Sequence, residues 1–458
     1  MPQAKRPTLY RAKALKSIEK LTAGCAAKSK AKNKTPVGRL RLLLMLALVC
    51  LAGFPWLILF WAGVQERYQQ PEADSRANAF FSQFSTVLPN AAAEQIDRIG
   101  GKLGFSPNAR YLEPIAISQT AQADFREIDA DLTLFLQRQT GLISGPLDPL
   151  PANLTAYLDT YSDLINEAKQ QVLQGDLPQW EMTLETMFDP NYPSPGFFNI
   201  RYLQKLILLS AIANLEQGQT APMWSAMEAS WRLNQAIAQR PDLVSQLLSS
   251  IILSQQASLL RHFEDVPVHW QTRLASQSPL QAILTGLQFE NWLNYKISQS
   301  AWSPHSNARW FSAQSSFKLK IIKAAETTQI ALDELSAADV CSTPQIAVER
   351  RLRQLQTDQG NFSSTVMARR WRSAGDRALA LELSRHVLAA KQLREKQGEW
   401  PTWLLNLDSQ TCPGERWVYK LTEDRITLSL SKQLVTGTAI PLRYSAERQV
   451  AVSASEVP

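Results

Sequence analysis

The strongest feature of the hydrophobic pattern is an uncharged run over residues 42–64, LLLMLALVCLAGFPWLILFWAGV. At about 1.5 Å of rise per residue, a helix of this length reaches roughly 35 Å and crosses a hydrocarbon core of about 30 Å. Trp56 and Trp61 lie toward its far end, where indole rings favour the headgroup boundary. The pattern predicts a single N-terminal transmembrane helix. The alternatives are a cleaved signal peptide, a lipoprotein anchor at Cys25 and a buried core helix. However, the following WAGVQER offers no small-residue cleavage site, and no apolar stretch precedes Cys25.

The charge distribution gives this helix an orientation. Residues 1–41 carry twelve basic side chains and one acidic side chain, whereas residues 42–458 carry 36 basic and 40 acidic ones, so the net charge of +7 combines +11 and −4. The positive-inside rule predicts a cytoplasmic tail and a body across the membrane, periplasmic or luminal. We expect the tail to be disordered and to act as a topology signal, with contact to anionic lipid as an alternative. Nucleic-acid binding is not expected.

The remaining pattern is helical almost throughout. Glycine is scarce, 18 of 458 residues, which suits helices and argues against glycine-rich nucleotide-binding loops. Asn90 and Asp242 are placed as helix caps. Apolar positions at helical spacing predict the following long helices: 120–139, 200–216, 221–239, 242–263, 279–302, 317–335, 345–355 and 376–396.

The end of the chain changes to a period of two. Ile426, Leu428 and Leu430 alternate with polar residues, so the pattern predicts strands over 417–421, 425–430 and 440–444. The predicted fold is mostly α, with a helical-hairpin or bundle ectodomain and a small C-terminal α+β element with antiparallel strands. Three prolines in DPNYPSPG mark the main break in the body. The predicted division is a tail, a transmembrane helix, a membrane-proximal helical region, a helical-hairpin region and a C-terminal helix with its sheet: 1–41, 42–64, 65–189, 197–374 and 375–458.

Two segments resemble known families. LLSAIANLEQGQTAPMWSAMEASWRL resembles one tetratricopeptide-type hairpin, with a plain helical bundle as the alternative. The C-terminal helix with its aromatic–proline turn and short meander resembles the globular end of pseudopilins, on these residues: Gly398, Trp400, Pro401, Leu404, Leu407, Trp417, Tyr419, Asp424 and Leu428. Over residues 200–445 the chain is similar to uncharacterised, membrane-anchored bacterial proteins with a helical-hairpin middle. The resemblance implies shared packing, not a pilus subunit, because the apolar helix lies far upstream and lacks a pseudopilin leader site.

The four cysteines divide by predicted compartment. Cys25 falls in the cytoplasmic tail and Cys50 in the bilayer, so Cys341 and Cys412 are the two on the far side. An even pair in an oxidising compartment predicts a disulfide, although two unrelated buried thiols are the alternative.

Candidate chemistry is sparse. The segment HFEDVPVH offers His262, Glu264, Asp265 and His269 as metal ligands, but at no standard spacing, and Pro267 breaks the helical register. Asp129 and Asp131 form a D-x-D inside a predicted helix, where positions i and i+2 point apart. The sequence contains no G-x-S-x-G, H-E-x-x-H, Walker or C-x-x-C motif. The sequence therefore predicts no catalytic, cofactor or metal residue.

The functional hypothesis follows from topology and from the helical body. The sequence predicts a single-pass bacterial envelope protein that acts as an assembly or interaction scaffold with a protein partner. The alternative is a membrane-anchored extracytoplasmic enzyme, either a hydrolase of envelope polymers or a type II transferase. That alternative predicts a concave pocket with convergent polar groups.

Overall fold

In a computed structural model of the chain, the described residues are 45, 61, 63–107, 115–189, 197–300, 311–355, 363–432 and 441–447. The predicted basic tail and nearly all of the predicted transmembrane helix, 42–64, lie outside these ranges and stay predictions. The chain divides into two compact units, 1–63 and 64–458, and the description below concerns the second.

The second unit is mostly helical, as the sequence predicts. Its described helices, in chain order, are α1 (64–81), α2 (Ala91–Lys102), α3 (Gln119–Gly141), α4 (Ala152–Gln174), α5 (Leu184–Met187), α6 (Ile200–Glu216), α7 (Thr220–Ala238), α8 (Leu243–Leu260), α9 (His269–Ala275), α10 (Pro279–Ser300), α11 (Phe311–Ala337), α12 (Gln345–Leu355) and α13 (Ser364–Gln397).

Side-chain caps fix two of the predicted helix starts. Asn90 accepts a hydrogen bond from the Ala93 amide at 3.0 Å, and Asp242 accepts one from the Ser245 amide at 2.9 Å. Each cap satisfies an amide that has no partner within its own helix. The two caps confirm the predicted starts of α2 and α8.

Helix α13 begins at Ser364, twelve residues before its predicted start at 376. The sequence pattern misleads here because Arg372 and Asp376 are both buried, where charged residues are not expected. Their side chains form an ion pair at 3.5 Å one helical turn apart, which reduces the cost of burying the two charges.

Helix α8 runs through the interior. In the part of the chain that the structure describes, it is the one helix long and apolar enough to cross a membrane, yet 72% of that window is buried inside the protein. It packs against α7, α10 and α13. Burial within the protein therefore explains its apolar composition as well as a membrane would, since a helix mostly covered by other helices needs no broad polar face.

Apolar side chains form three core clusters. The first joins α2–α4 to α6–α9. The second lies between α10–α13 and the sheet. The third packs Ala73, Ala77 and Phe81 of α1 against Phe289 and Trp292 of α10.

A three-stranded antiparallel sheet closes the chain, with strands β1 (Trp417–Leu421), β2 (Arg425–Leu430) and β3 (Arg443–Glu447) in the order β1-β2-β3. The predicted bounds of β1 and β2 and the buried alternation of β2 are confirmed. Strand β3 begins three residues later than predicted. Pro441 has no amide to donate to a sheet, so the pairing begins beyond it, at Arg443 opposite Ser429.

A disulfide joins Cys341 to Cys412, the pair that the sequence predicts. Their Cα atoms lie 5.4 Å apart, within the usual range for such a bond, and 71 residues separate them. Cys341 lies in the turn between α11 and α12, and Cys412 lies in the loop between α13 and β1. The bond therefore fastens the loop before the sheet to the helical body.

Candidate functional site

A cleft of about 900 Å³ lies between the first core cluster and the sheet. Five segments line it: the loop after α3, the end of α6 with the start of α7, the turn after α8, the last turns of α13, and the sheet. The lining residues are Ser144, Gly145, Pro146, Leu147, Leu215, Thr220, Met223, His262, Glu264, Asp265, Lys391, Arg394, Glu423, Asp424, Arg425, Tyr444, Ser445, Ala446 and Glu447.

Local sequence explains how these segments meet. Gly145 has a φ of 80° and turns the loop after α3 toward the sheet, where the Ser445 amide donates to the Ile143 carbonyl at 2.7 Å. Asp265 has a φ of 46° in the turn after α8, an uncommon conformation for a residue with a side chain. Lys391 and Arg394 are three residues apart on α13 and so share one face.

Glu264, Lys391 and Arg394 form the side of the cleft that we call the helix wall. The Lys391 ammonium donates to the Phe263 carbonyl at 2.7 Å and lies 3.8 Å from the Glu264 carboxylate. The Arg394 guanidinium lies 3.5 Å from the other oxygen of Glu264 and 4.8 Å from the centre of the Trp400 ring. Both distances to Glu264 exceed those of good charged hydrogen bonds, so this carboxylate is held loosely.

A second group of lining residues, which we call the sheet wall, consists of Glu423, Asp424, Arg425 and Glu447. The first three lie in or beside the turn between β1 and β2, and all four are exposed. The sheet wall is therefore mainly acidic, whereas the helix wall combines two cations with one carboxylate.

His262 is held in one orientation inside the cleft. Its Nδ1 lies 3.0 Å from the Gly145 carbonyl oxygen, and a carbonyl can only accept, so we assign the ring proton to Nδ1. Burial, assisted by the charges of Arg261 and Lys391, lowers the pKa of His262 from 6.5 to about 4. The ring is therefore neutral at physiological pH. Its buried Nε2 has no hydrogen-bond partner among the described residues.

Two further cleft residues have shifted pKa values. Burial lowers the pKa of Lys391 from 10.5 to about 8, although Glu264 opposes the shift. Burial also raises the pKa of Tyr444 to about 12, and the Glu264 carboxylate adds to the rise. Shifts of this size in a concave site are typical of functional residues, although structural ion pairs also cause them.

Arg261 lies behind the cleft, next to His262, and is fully buried. Its Nη2 donates to the Ser258 hydroxyl at 2.8 Å, while Nε and Nη1 have no hydrogen-bond partner in the described part of the chain. Burial lowers its pKa from 12.5 to about 10. A buried guanidinium without a carboxylate beside it is costly to keep.

The metal-ligand candidates from the sequence separate in the structure. His262, Glu264 and Asp265 line the cleft, whereas His269 begins α9 with its ring 5.7 Å from that of Trp270. Within the described ranges, no three or more His, Cys, Asp or Glu side chains are grouped to hold a metal ion.

The D-x-D pair lies within α3, as predicted, and its two carboxylates have different partners. Asp129 forms an ion pair with Lys205 at 3.0 Å, and Asp131 accepts a hydrogen bond from Asn153 at 2.7 Å. Both contacts join α3 to neighbouring helices, so the pair connects elements of the body.

Sequence reasoning missed Lys391, Arg394, Tyr444 and Arg261. The first two look like ordinary charges on the polar face of a helix, and Tyr444 looks like a strand residue. Arg261 did carry a sequence signal, because it directly follows the uncharged helix Leu243–Leu260. Bringing the four together requires the packing of α8, α13 and the sheet, which no local pattern contains.

We expect protein stability to depend on pH through His262. Between pH 6.5 and about 4 the unfolded chain binds a proton that the folded His262 does not, so stability falls as the pH falls through this window. The free energy of unfolding of the wild type, taken relative to that of His262→Gln, should be about 2 kcal/mol lower at pH 5 than at about pH 7.5. Denaturant unfolding at both pH values measures this loss. If the free energies of unfolding of the wild type and His262→Gln differ by the same amount at both pH values, the prediction is wrong.

Comparison of the chain with protein-family models, with curated proteins and with solved structures yields no match. The resemblance of residues 200–445 to membrane-anchored bacterial proteins therefore stays a prediction. The turn on which it depends is well formed: Gly398 ends α13 with a φ of 78°, and the Tyr419 hydroxyl donates to the Pro401 carbonyl at 2.7 Å.

Proposed function

We propose that this protein is a single-pass bacterial envelope protein that acts as an interaction scaffold, with the cleft as the place where a partner protein binds. In this proposal residues 42–64 form the anchor, the tail is cytoplasmic, and the helical body with its disulfide is extracytoplasmic. The charge split of the chain and the oxidised pair Cys341–Cys412 support that orientation.

The observation that carries the proposal is how the charged groups of the cleft are arranged. Lys391 and Arg394 share Glu264, and His262 is held by a backbone carbonyl. None of the hydrogen bonds found in the described residues joins a serine or cysteine of the cleft to His262. Paired charges around an open cavity favour recognition of a partner over nucleophilic catalysis, which requires a nucleophile next to its base.

An extracytoplasmic enzyme is the second candidate, and one observation favours it. The neutral His262 ring, fixed through Nδ1, has an unprotonated Nε2 of the kind that a general base uses. Turnover of an envelope polymer by the purified protein, abolished by His262→Gln, would support this candidate over the scaffold.

Site-specific photocrosslinking in living cells tests the scaffold. A photoreactive amino acid replaces Glu423, which is exposed on the sheet wall, and as a control Gln170, which is exposed on α4 outside the cleft. We expect a discrete crosslinked product of an envelope protein from position 423 and none from position 170. The absence of a product at position 423, or equal products at both positions, would contradict the proposal.

A further inference from the structure

We propose that the helix wall binds a carboxylate group of the partner, which takes the place that the Glu264 carboxylate occupies in the free protein. Lys391 and Arg394 would contact this group directly. The inference deepens the proposed function, because it rests on the cleft being the binding site and names the chemistry recognised there.

The first argument is the position of Glu264. Its carboxylate lies between the ammonium of Lys391 and the guanidinium of Arg394, so the geometry of this wall already fits one carboxylate. The fit is loose: the separations are 3.8 and 3.5 Å, and the side chain of Glu264 remains 63% exposed. An ion pair this exposed contributes little to stability, so exchanging it for another carboxylate costs little.

The second argument is that the residues of the helix wall differ in how far they are buried. The Lys391 side chain is only 9% exposed, so the protein covers most of its surface, whereas its charge partner Glu264 is 63% exposed. A cation that is buried with a replaceable counter-ion is prepared for an incoming anion, because the cost of removing it from water has been met during folding.

The third argument is Arg261. This guanidinium is fully buried, two of its nitrogens have no hydrogen-bond partner among the described residues, and it directly precedes His262 of the cleft lining. In a low-dielectric interior its positive field extends toward the helix wall and favours an anion there. Arg261 would thus act as a positioning charge and would not contact the partner.

The sheet wall limits which partners fit. Its acidic side chains line the same cleft and repel a strongly acidic ligand, so the favoured partner segment presents one carboxylate to the helix wall and polar or basic groups to the sheet wall. This arrangement excludes polyanions as the preferred class.

Binding of a fluorescent peptide tests the inference. The probe is fluorescein–Gly-Gly-Lys-Gly-Glu-Gly amide, with the same peptide carrying Gln in place of Glu as its control, measured by anisotropy on the full chain in detergent. We expect tighter binding of the Glu peptide to the wild type. Lys391→Gln should weaken that binding about tenfold or more, because a charged hydrogen bond is lost. Glu264→Gln should strengthen it about threefold, because the internal competitor is removed.

The opposite signs make the test specific, since general damage to the fold weakens binding in both variants. Lys323→Gln on α11 and Glu127→Gln on α3 remove exposed charges outside the cleft and should leave binding unchanged. Equal binding of the Glu and Gln peptides, or weaker binding by Glu264→Gln, overturns the inference. If the peptide test gives either of these results while position 423 still yields a crosslinked envelope protein, only the inference about the carboxylate fails. If that product is also absent, the proposed function fails as well.

Discussion

Replacing both Cys341 and Cys412 with alanine is expected to lower the free energy of unfolding by about 4 kcal/mol. The bond closes a segment of 71 residues, and on the chain-entropy account a cross-link of that span removes about this much from the unfolded state. The segment contains α12, α13 and the loop before the sheet. Denaturant unfolding under oxidising conditions measures the change.

Reduction is the internal control for this prediction. Dithiothreitol should lower the stability of the wild type to that of the double variant and leave the variant unchanged. Cys25→Ala, outside the pair, should be neutral. Peptide mapping that finds both thiols free in oxidised protein, or a double variant as stable as the wild type, would refute the prediction.

Replacing Glu382 with alanine is expected to lower the free energy of unfolding by about 3 kcal/mol. The buried Glu382 carboxylate on α13 accepts hydrogen bonds from the Ser409 hydroxyl at 2.7 Å, from the amide and hydroxyl of Thr411 at 2.6 Å each, and from the Trp417 indole at 3.1 Å. Each buried donor left without an acceptor costs roughly 1 kcal/mol or more. This carboxylate holds the loop that contains Cys412 against α13.

Two comparisons test this prediction. Glu382→Gln should have an intermediate effect, because one amide oxygen replaces two carboxylate oxygens. Glu395→Ala removes an exposed carboxylate from the same helix and should change stability by less than about 0.5 kcal/mol. If Glu382→Ala is as stable as Glu395→Ala, the loop is held by other contacts. Thermal and denaturant unfolding of the three variants decide between these outcomes.

Local patterns predicted most of the elements because those elements satisfy local rules. Strand β2 alternates buried and polar residues along its length, and α8 begins at an aspartate whose side chain caps it. The start of α13 was wrong because burial of Arg372 and Asp376 is a tertiary property. The pattern treats charged residues as exposed, so the predicted helix began only at Asp376 and left out the turns that contain Arg372.

The cleft was only partly predictable, for a related reason. The sequence singled out His262, Glu264 and Asp265 because they are close together in the chain. Lys391 and Tyr444 join them from segments more than one hundred residues away. A sequence pattern that spans a few turns of helix cannot reveal contacts between such distant segments. In the sequence, Lys391 is indistinguishable from an exposed lysine on a helix.

The central claim is that the cleft is where a partner binds, and obstructing the cleft tests it most directly. Thr220 lines the cleft at the start of α7, and its neighbour Gln219 is exposed but does not line it. Crosslinking from position 423 is measured in cells that carry Thr220→Trp or Gln219→Trp. The account predicts that the partner product is lost with Thr220→Trp and retained with Gln219→Trp. A product that stays at the wild-type level when tryptophan at position 220 obstructs the cleft would contradict it.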